Sequence, residues 1–323
     1  MIAPPLVSVV IPTYERAHLI ADALDSVYAQ DWRPLEIVVV DDGSTDATDA
    51  VVAAWAEQRP ELTVRYVRQA NQGGNAARNA GIAAAQGAYV AFLDSDDVWD
   101  PRKTRLQADV LEADREAGAV YCGLRETEAA TGAVLSIPAH DYPEGDLLAT
   151  LLVRDVTAPT SAWMIRKSVL EDAGRFDTQL RARQDWDLWI RVAKIAPIRA
   201  VPEPLLDLRQ HSGPRTATDP TRELAAYAAI REKYRTLLAA QPRQVRAAAR
   251  SAFLRRQGRV HARYMNRKGV ALGYYMRAIA AWPVEPDSYF ALAGLALPDG
   301  LRQRLRSVWN RLLGRSALRI RSH

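Results

Sequence analysis

The sequence predicts an α/β protein: a Rossmann-like, mostly parallel sheet with helices on both faces, followed by a helical C-terminal region. Three observations predict it. Short runs rich in Val and Ile alternate with stretches of helical periodicity over residues 1–100, the pattern of parallel strands covered on both faces. The unusual polar clusters of that half each follow directly on one of those runs, where open α/β sheets bind ligands. Charge also divides the chain. Residues 221–323 hold 21 Lys/Arg against 5 Asp/Glu although the whole chain is only +5, so the predicted domains are 1–220 and a basic helical region, 221–323.

Element by element, LVSVVIP (6–12) reads as the first strand and Leu19 to Tyr28 as a helix. LEIVVVDD (35–42) precedes a helix over Thr45 to Glu57, TVRYVR (63–68) precedes one over Asn75 to Ala85, and AYVAFLD (88–94) is a fourth strand. Pro101 suits the first position of a helix running to about Gly118, and AVYCGL (119–124) suits a strand. A hairpin is expected around Thr131-Gly132, a strand at SAWMIR (161–166), a helix over Trp186 to Ala196 and a last strand at LLDLR (205–209). A boundary falls near Asp219-Pro220, and Ala, Arg and Leu then recur in helical rhythm.

At 323 residues and 48% apolar content the chain can bury a sizeable core. The single cysteine, Cys122, excludes an internal disulfide framework, and no Cys/His spacing suits zinc. The N-terminal MIAPPLVSVVIPTY lacks a basic leader and holds three prolines, so it is expected to be a strand rather than a signal peptide, with the mature chain starting near Met1. The run from Ser288 to Pro298 is far short of the roughly 20 residues that span a bilayer. A cytoplasmic protein is expected.

Asp94-Ser95-Asp96-Asp97 places three carboxylates within four residues. Crowded carboxylates repel, and a hard cation such as Mg²⁺ or Mn²⁺ relieves that repulsion while leaving positions for phosphate oxygens. The plainer reading is a solvated turn that starts the helix near Pro101. Asp41-Asp42 at a strand tip can accept from a ribose hydroxyl or a base N–H, whereas Ser44 or Asp46 can cap the next helix. NAD is disfavoured, because Pro12-Thr13-Tyr14-Glu15 after the first strand holds no glycine. In Asn71 to Asn79 a glycine pair lets backbone approach a ligand and Arg78 offers a fork of donors. No Gly-Lys-Ser/Thr of a P-loop occurs.

The strings VSVVIPTYERAHLIADALDSVYAQ, EIVVVDDGSTDAT, NQGGNAARNAGI and FLDSDDVWDP, continued by TSAWMIRKSVLEDAGRFD, QDWDLWIRV and LRQHSG, together resemble the glycosyltransferase family 2 pattern with its GT-A fold, over about residues 6–213. The resemblance implies an inverting transfer from a nucleotide sugar. Pro12, Thr13, Tyr14 and Glu15 would lie at the nucleotide, with Asp42 or Asp41 accepting from its base and Arg78 helping to hold it. Asp94, Ser95 and Asp96 would contact the ribose and diphosphate, and Arg209 the leaving group. Asp96, Asp97 and His211 would serve Mn²⁺ or Mg²⁺, and Asp185 would be the general base. Two positions depart from the family: Glu15 stands where Asn is usual, and Gln184 where an acid often precedes the base. Taken alone, Asp185 also suits a helix cap and His211 a loop histidine bonded to backbone, while Trp186 and Trp189 suit core packing better than sugar stacking.

The implied partners are a nucleotide-sugar donor, with UDP-sugars favoured, and a glycan or lipid-linked acceptor of cell-surface polysaccharide synthesis, shaped by residues 155–176. Leu301, Leu305, Val308, Trp309, Leu312 and Leu313 recur at helical spacing among arginines, with no acid after Asp299. That stripe suits the inner face of an anionic membrane, in a peripheral manner, or packing on the helical bundle. Without a recognised motif, basic charge gives no reason to expect nucleic acid. A sugar-1-phosphate nucleotidyltransferase is the alternative enzyme, but it needs a Gly-rich basic loop where Thr13-Tyr14-Glu15 stands. A silent binding module is the other, and the joint presence of Asp94, Asp96, Asp97 and Asp185 argues against it.

Overall fold

The computed structural model describes residues 3–155, 159–180, 182–210 and 220–296. His211 and the stripe from Leu301 to Leu313 lie outside them. In chain order the elements are β1 (Val7–Thr13), α1 (Ile20–Tyr28), β2 (Leu35–Asp41), α2 (Thr48–Glu57), β3 (Thr63–Arg68), α3 (Gly74–Ala84), β4 (Tyr89–Phe92), β5 (Val98–Trp99), α4 (Lys103–Ala113), β6 (Ala119–Glu128), β7 (Val134–Ser136) and α5 (Leu148–Val153). A short 3₁₀ turn (Thr160–Ala162) precedes β8 (Trp163–Arg166), α6 (Lys167–Asp172), α7 (Gln184–Ala193) and β9 (Ile198–Gln210). Then come α8 (Pro220–Lys233), α9 (Arg235–Ala239), α10 (Arg243–Arg263), α11 (Lys268–Ala281) and α12 (Pro286–Ala293). Contacts divide the chain into two units: Met1–Leu147 with Thr157–Gln179 and Gln184–Pro214, and Leu148–Val156 with Leu180–Arg183 and Arg215–His323.

The first unit is built on one sheet, ordered β3-β2-β1-β4-β8-β6-β9-β5, with β7 added to β6. β3, β2, β1 and β4 run parallel, whereas β8 lies antiparallel to both β4 and β6. Every residue of β1, β2 and β4 is buried, which explains their nearly unbroken apolar runs. The polar exceptions are satisfied: Ser8 Oγ donates to Glu36 Oε1 at 2.5 Å, the Gln86 N–H donates to the same oxygen at 2.6 Å, and Arg65 Nε reaches Oε2 at 3.1 Å. Pro12 is tolerated in a central strand because Thr13 turns its backbone groups toward β2, which leaves Pro12 facing the β4 side, where pairing with β1 ends at Val10. α3 packs directly on β1. A Cβ at Gly81 would come within 2.3 Å of the Val10 side chain, so only glycine allows this approach.

Several elements differ from expectation for identifiable reasons. The helix after Pro101 starts at Lys103 and stops at Ala113 rather than near Gly118. Asp114 adopts an extended backbone, and its Oδ1 accepts from the Glu116 and Ala117 N–H groups, an Asx turn that ends the helix. β9 begins at Ile198, well before Leu205, because its prolines fall where the register against β6 shifts, between the Cys122–Val201 and Leu124–Leu206 pairs.

The second unit is helical. Val153 of α5 forms a core with Val245, Ala248 and Ala249 of α10, against which Leu238 and Trp282 pack. Arg183 and Arg256 both bond Glu223 Oε1, at 2.7 and 2.5 Å, and Arg183 also reaches Asp155 at 3.5 Å. Among the described residues no helix is long and apolar enough to cross a membrane.

Candidate active site

The loops after β1, β2, β3 and β4 meet at the carboxyl ends of the strands. Register places Thr13 beside Asp41, and the Asp42 N–H donates to the Thr13 carbonyl at 2.9 Å. Glu15 sits in the left-handed region at φ 54. That conformation suits Asn better than Glu, which accounts for the residue usual in the resembling family. Here Glu15 Oε1 accepts from both the N–H and the hydroxyl of Thr45, at 2.7 and 2.8 Å, tying the two loops together. Tyr14 beside it is 47% exposed, an aromatic face open at the mouth. Thr13 Oγ1 is buried and without a partner among the described residues.

Asp41 and Asp42 are buried and already engaged. Asp41 accepts from the Ser44 N–H at 2.8 Å and from the Tyr66 hydroxyl at 2.6 Å. Burial raises its pKa, but these bonds outweigh burial and hold the carboxyl below its ordinary range. Asp42 accepts from the N–H groups of Gln72 and Gly73, at 2.9 and 2.7 Å, and from Gln69 Nε2 at 2.7 Å. It thereby fixes the turn into α3, where Gly73 takes φ 89, ψ 159, a region essentially restricted to glycine. Asn79 of α3 then binds the Phe176 backbone in both directions, at 2.8 and 2.9 Å.

The acidic cluster follows β4. Arg78 donates to Asp94 Oδ1 at 2.5 Å, while its Nε is buried with no partner among the described residues. Ser161 Oγ bridges the cluster: it accepts from the Asp94 N–H at 3.0 Å and donates to Asp97 Oδ2 at 2.6 Å. The backbone N–H of Arg209 also bonds Asp97. Burial, then the charge of Asp94 and to a lesser degree that of Asp96, push the Asp97 carboxyl well above its usual range despite these two bonds. The helix-start reading does not hold for the cluster, because Asp100, not Asp94 to Asp97, makes the turn into α4 by accepting from Arg102 N–H at 3.1 Å. Instead β5, pairing Val98 with Asp207, lays Asp97 against β9.

The GT-A resemblance implies a divalent cation here. Hard carboxylate oxygens and a buried acid whose charge is resisted by two neighbours suit one. No group of three His, Cys, Asp or Glu among the described residues gathers around one point, so Asp96 and Asp97 would share the ion with oxygens of a bound ligand. His211, the third expected ligand, lies outside the described residues. Arg209 is placed differently from the leaving-group contact expected of it: its guanidinium bonds Asp22 of α1 and the Ala129 carbonyl.

Asp185 is half-buried in the first turn of α7, and its Oδ1 accepts from the Trp186 N–H at 2.8 Å. One turn along, Trp189 is fully buried and stacks on Trp163 with centroids 3.8 Å apart. Trp163 follows Ser161 by two residues, so this stack joins the helix bearing Asp185 to the segment that bridges Asp94 and Asp97. Gln184 Oε1 is buried without a partner among the described residues. The two tryptophans of α7 are core. Sequence reasoning missed Ser161, whose role arises only from the placement of β8 between β4 and β6.

A family model described as glycosyl transferase family 2 matches residues 8–174. The chain belongs to glycosyl transferase family 2. Over 217 residues this transferase is 30% identical to an uncharacterized glycosyltransferase of Rickettsia prowazekii, covering 66% of this chain and 67% of that one. Another, from Rickettsia felis, is 32% identical, with 64% and 35% covered. A putative colanic acid biosynthesis glycosyl transferase of Escherichia coli is 31% identical, with 58% and 66% covered. In fold, the transferase is similar to S. aureus TarS 1–349 in complex with UDP-GlcNAc, with a TM-score of 0.64 at 19% identity, 94% of this chain and 92% of that one. A mannosyltransferase from Pyrobaculum calidifontis, in complex with GDP-Man and Mn²⁺, gives 0.55 at 22% identity, with 96% and 89% covered.

Proposed function

We propose that this transferase moves a sugar from a nucleotide diphosphate, with UDP-sugars favoured, to a hydroxyl of a glycan or lipid-linked acceptor in surface polysaccharide synthesis, with inversion at the anomeric carbon. The observation that carries this reading is a pair of buried, unpartnered polar atoms: Thr13 Oγ1 at the end of β1, and Nε of Arg78 on α3, whose guanidinium bonds Asp94. A buried group left unbonded costs about 1–3 kcal/mol, and a nucleotide's hydroxyls and phosphate oxygens supply the missing partners.

In this reading Tyr14 stacks on the base, while Asp41 and Asp42 act mainly by holding the loops that contact the nucleotide. Arg78 and Asp94 orient the ribose and diphosphate, with Ser95 alongside. Asp96 and Asp97, with His211, would hold Mn²⁺ or Mg²⁺, which would supply positive charge at the leaving diphosphate. Asp185 takes the proton from the acceptor hydroxyl as its oxygen attacks opposite the diphosphate. Arg209 acts through its backbone N–H, which steadies Asp97. TarS with UDP-GlcNAc supports a UDP-sugar, the mannosyltransferase with GDP-Man and Mn²⁺ supports a metal, and the colanic acid relative supports a surface glycan. The division of the chain into a transferase domain, 1–220, and a basic helical region, 221–323, belongs to the proposal, as does peripheral attachment to the inner face of the cytoplasmic membrane.

A thermal-shift screen of UDP-, GDP- and dTDP-sugars with and without Mn²⁺ tests it. A ligand at about 100 times its Kd adds about 2.7 kcal/mol of stability, so the true donor raises the melting temperature. If no donor shifts melting and none releases nucleotide in acceptor mixtures, the proposal fails.

A further inference from the structure

The helical unit contains a cavity of about 430 Å³ lined by Arg231, Arg235, Arg246, Arg250, Glu232 and Phe253, with a leucine and two alanines between them. Its making is helical arithmetic. Arg246, Arg250 and Phe253 fall at spacings of four and three on α10, and so share one face, while Arg231 and Arg235 are four apart where α8 passes into α9. The guanidiniums outnumber the acids four to one. The lone acid, Glu232, is taken by Arg235 at 3.2 Å.

Arg231 and Arg250 have no acidic partner among the described residues. Arg231 lies over the Phe253 ring, 4.8 Å from its centroid, with its Nη1 3.5 Å from the Ala249 carbonyl, so the guanidinium is fixed in place without being neutralised. Arg246 is held through the Ala239 carbonyl at 3.2 Å. Burial, and then the charge of Arg250, lower the Arg231 pKa. Guanidiniums are the side chains best suited to phosphate oxygens, which they bond in pairs.

We propose that this cavity is a phosphate-binding site, separate from the donor site, that takes a phosphate or diphosphate group between Arg231, Arg246 and Arg250. Phe253 and Leu238 offer an apolar surface for whatever carbon the phosphate is attached to. The inference stands on the helical unit alone and survives failure of the donor assignment.

The test uses the full chain with two probes: inorganic pyrophosphate by titration calorimetry, and vesicles of phosphatidylcholine containing phosphatidic acid by co-sedimentation. Arg231→Gln/Arg250→Gln is compared with Arg263→Gln/Arg267→Gln, which removes the same charge outside the cavity. The cavity variant is expected to bind at least one probe about tenfold more weakly or worse, while the comparison variant keeps that binding. Loss of pyrophosphate binding identifies a free phosphate ligand, and loss of vesicle binding alone identifies a lipid headgroup. Equal loss in Arg263→Gln/Arg267→Gln, or binding of both probes unchanged by the cavity substitutions, overturns the proposal. If the double variant does not fold, Arg250→Gln alone, at an exposed position, takes its place: weakened binding of either probe supports the site, and unchanged binding of both overturns it.

Discussion

Ser161→Ala removes one oxygen and tests how the acidic cluster is held. Ser161 is fully buried, and its hydroxyl serves two groups at once, the Asp94 N–H at 3.0 Å and Asp97 Oδ2 at 2.6 Å. Alanine fits the space but leaves an amide without an acceptor and a buried carboxylate with one donor fewer, the Arg209 N–H remaining. At about 1–3 kcal/mol for each of the two buried groups left short, the loss should be about 2–6 kcal/mol in urea unfolding. Ser26→Ala provides the comparison. Ser26 is also buried but only donates back to Ala23 of its own helix, at 2.7 Å, so its loss should stay below about 1 kcal/mol. The donor identified by thermal shift should also bind Ser161→Ala more weakly, because Asp94 and Asp97 are no longer fixed. A loss under about 1 kcal/mol with unchanged donor affinity would refute the bridging role.

Three further outcomes follow from the same geometry. Gly73→Ala adds a Cβ that meets nothing within 4 Å, yet forces alanine to φ 89. The cost should be about 1–3 kcal/mol of pure backbone strain, read as a lower melting temperature, and a neutral result would mean that the turn into α3 relaxes freely. Lys103 is fully buried, bonds Gln107 at 2.8 Å and has its pKa lowered by burial from 10.5 to about 8. Its unfolded form therefore binds the proton more tightly between about pH 8 and 10.5, and this group makes stability rise with pH across that window, by about 3 kcal/mol in full. Lys103→Met should flatten the rise. Cys122, raised by burial to about 11, acts in the opposite direction above about pH 9, so unfolding free energies are compared at pH 7.5 and 8.8, and parallel pH curves for the two proteins would contradict the assignment. Arg78→Lys keeps the charge but loses the planar fork, and should weaken donor binding about tenfold; unchanged affinity would remove Arg78 from the site.

The parallel strands were legible because β1, β2 and β4 are buried throughout and so carry runs that nothing else requires. The clusters at their ends were legible for the same reason, since polarity stops the apolar pattern abruptly. What the chain order hid were long-range partners. Asp41 and Asp42 look like free acceptors in sequence, but their oxygens receive Ser44, Tyr66, Gln69, Gln72 and Gly73. Arg209 looks like an anion clamp, yet its guanidinium goes to Asp22 and Ala129. β5 is two residues long, too short to leave any periodicity, though it carries Asp97 to β9. The prolines of β9 disguised its first half because a register shift against β6 accommodates them.

The central claim is that donor binding and proton transfer are separate duties, the first at the strand ends and the second at Asp185. The most direct measurement compares donor affinity by titration and sugar transfer by turnover in the wild type and in Asp185→Asn. Asparagine preserves shape and can still accept from the Trp186 N–H. Donor affinity should remain within about threefold, a change of under about 1 kcal/mol, while transfer falls by about 10²-fold or more, the contribution typical of a general base. Retained turnover, or loss of donor binding together with turnover, would contradict the account.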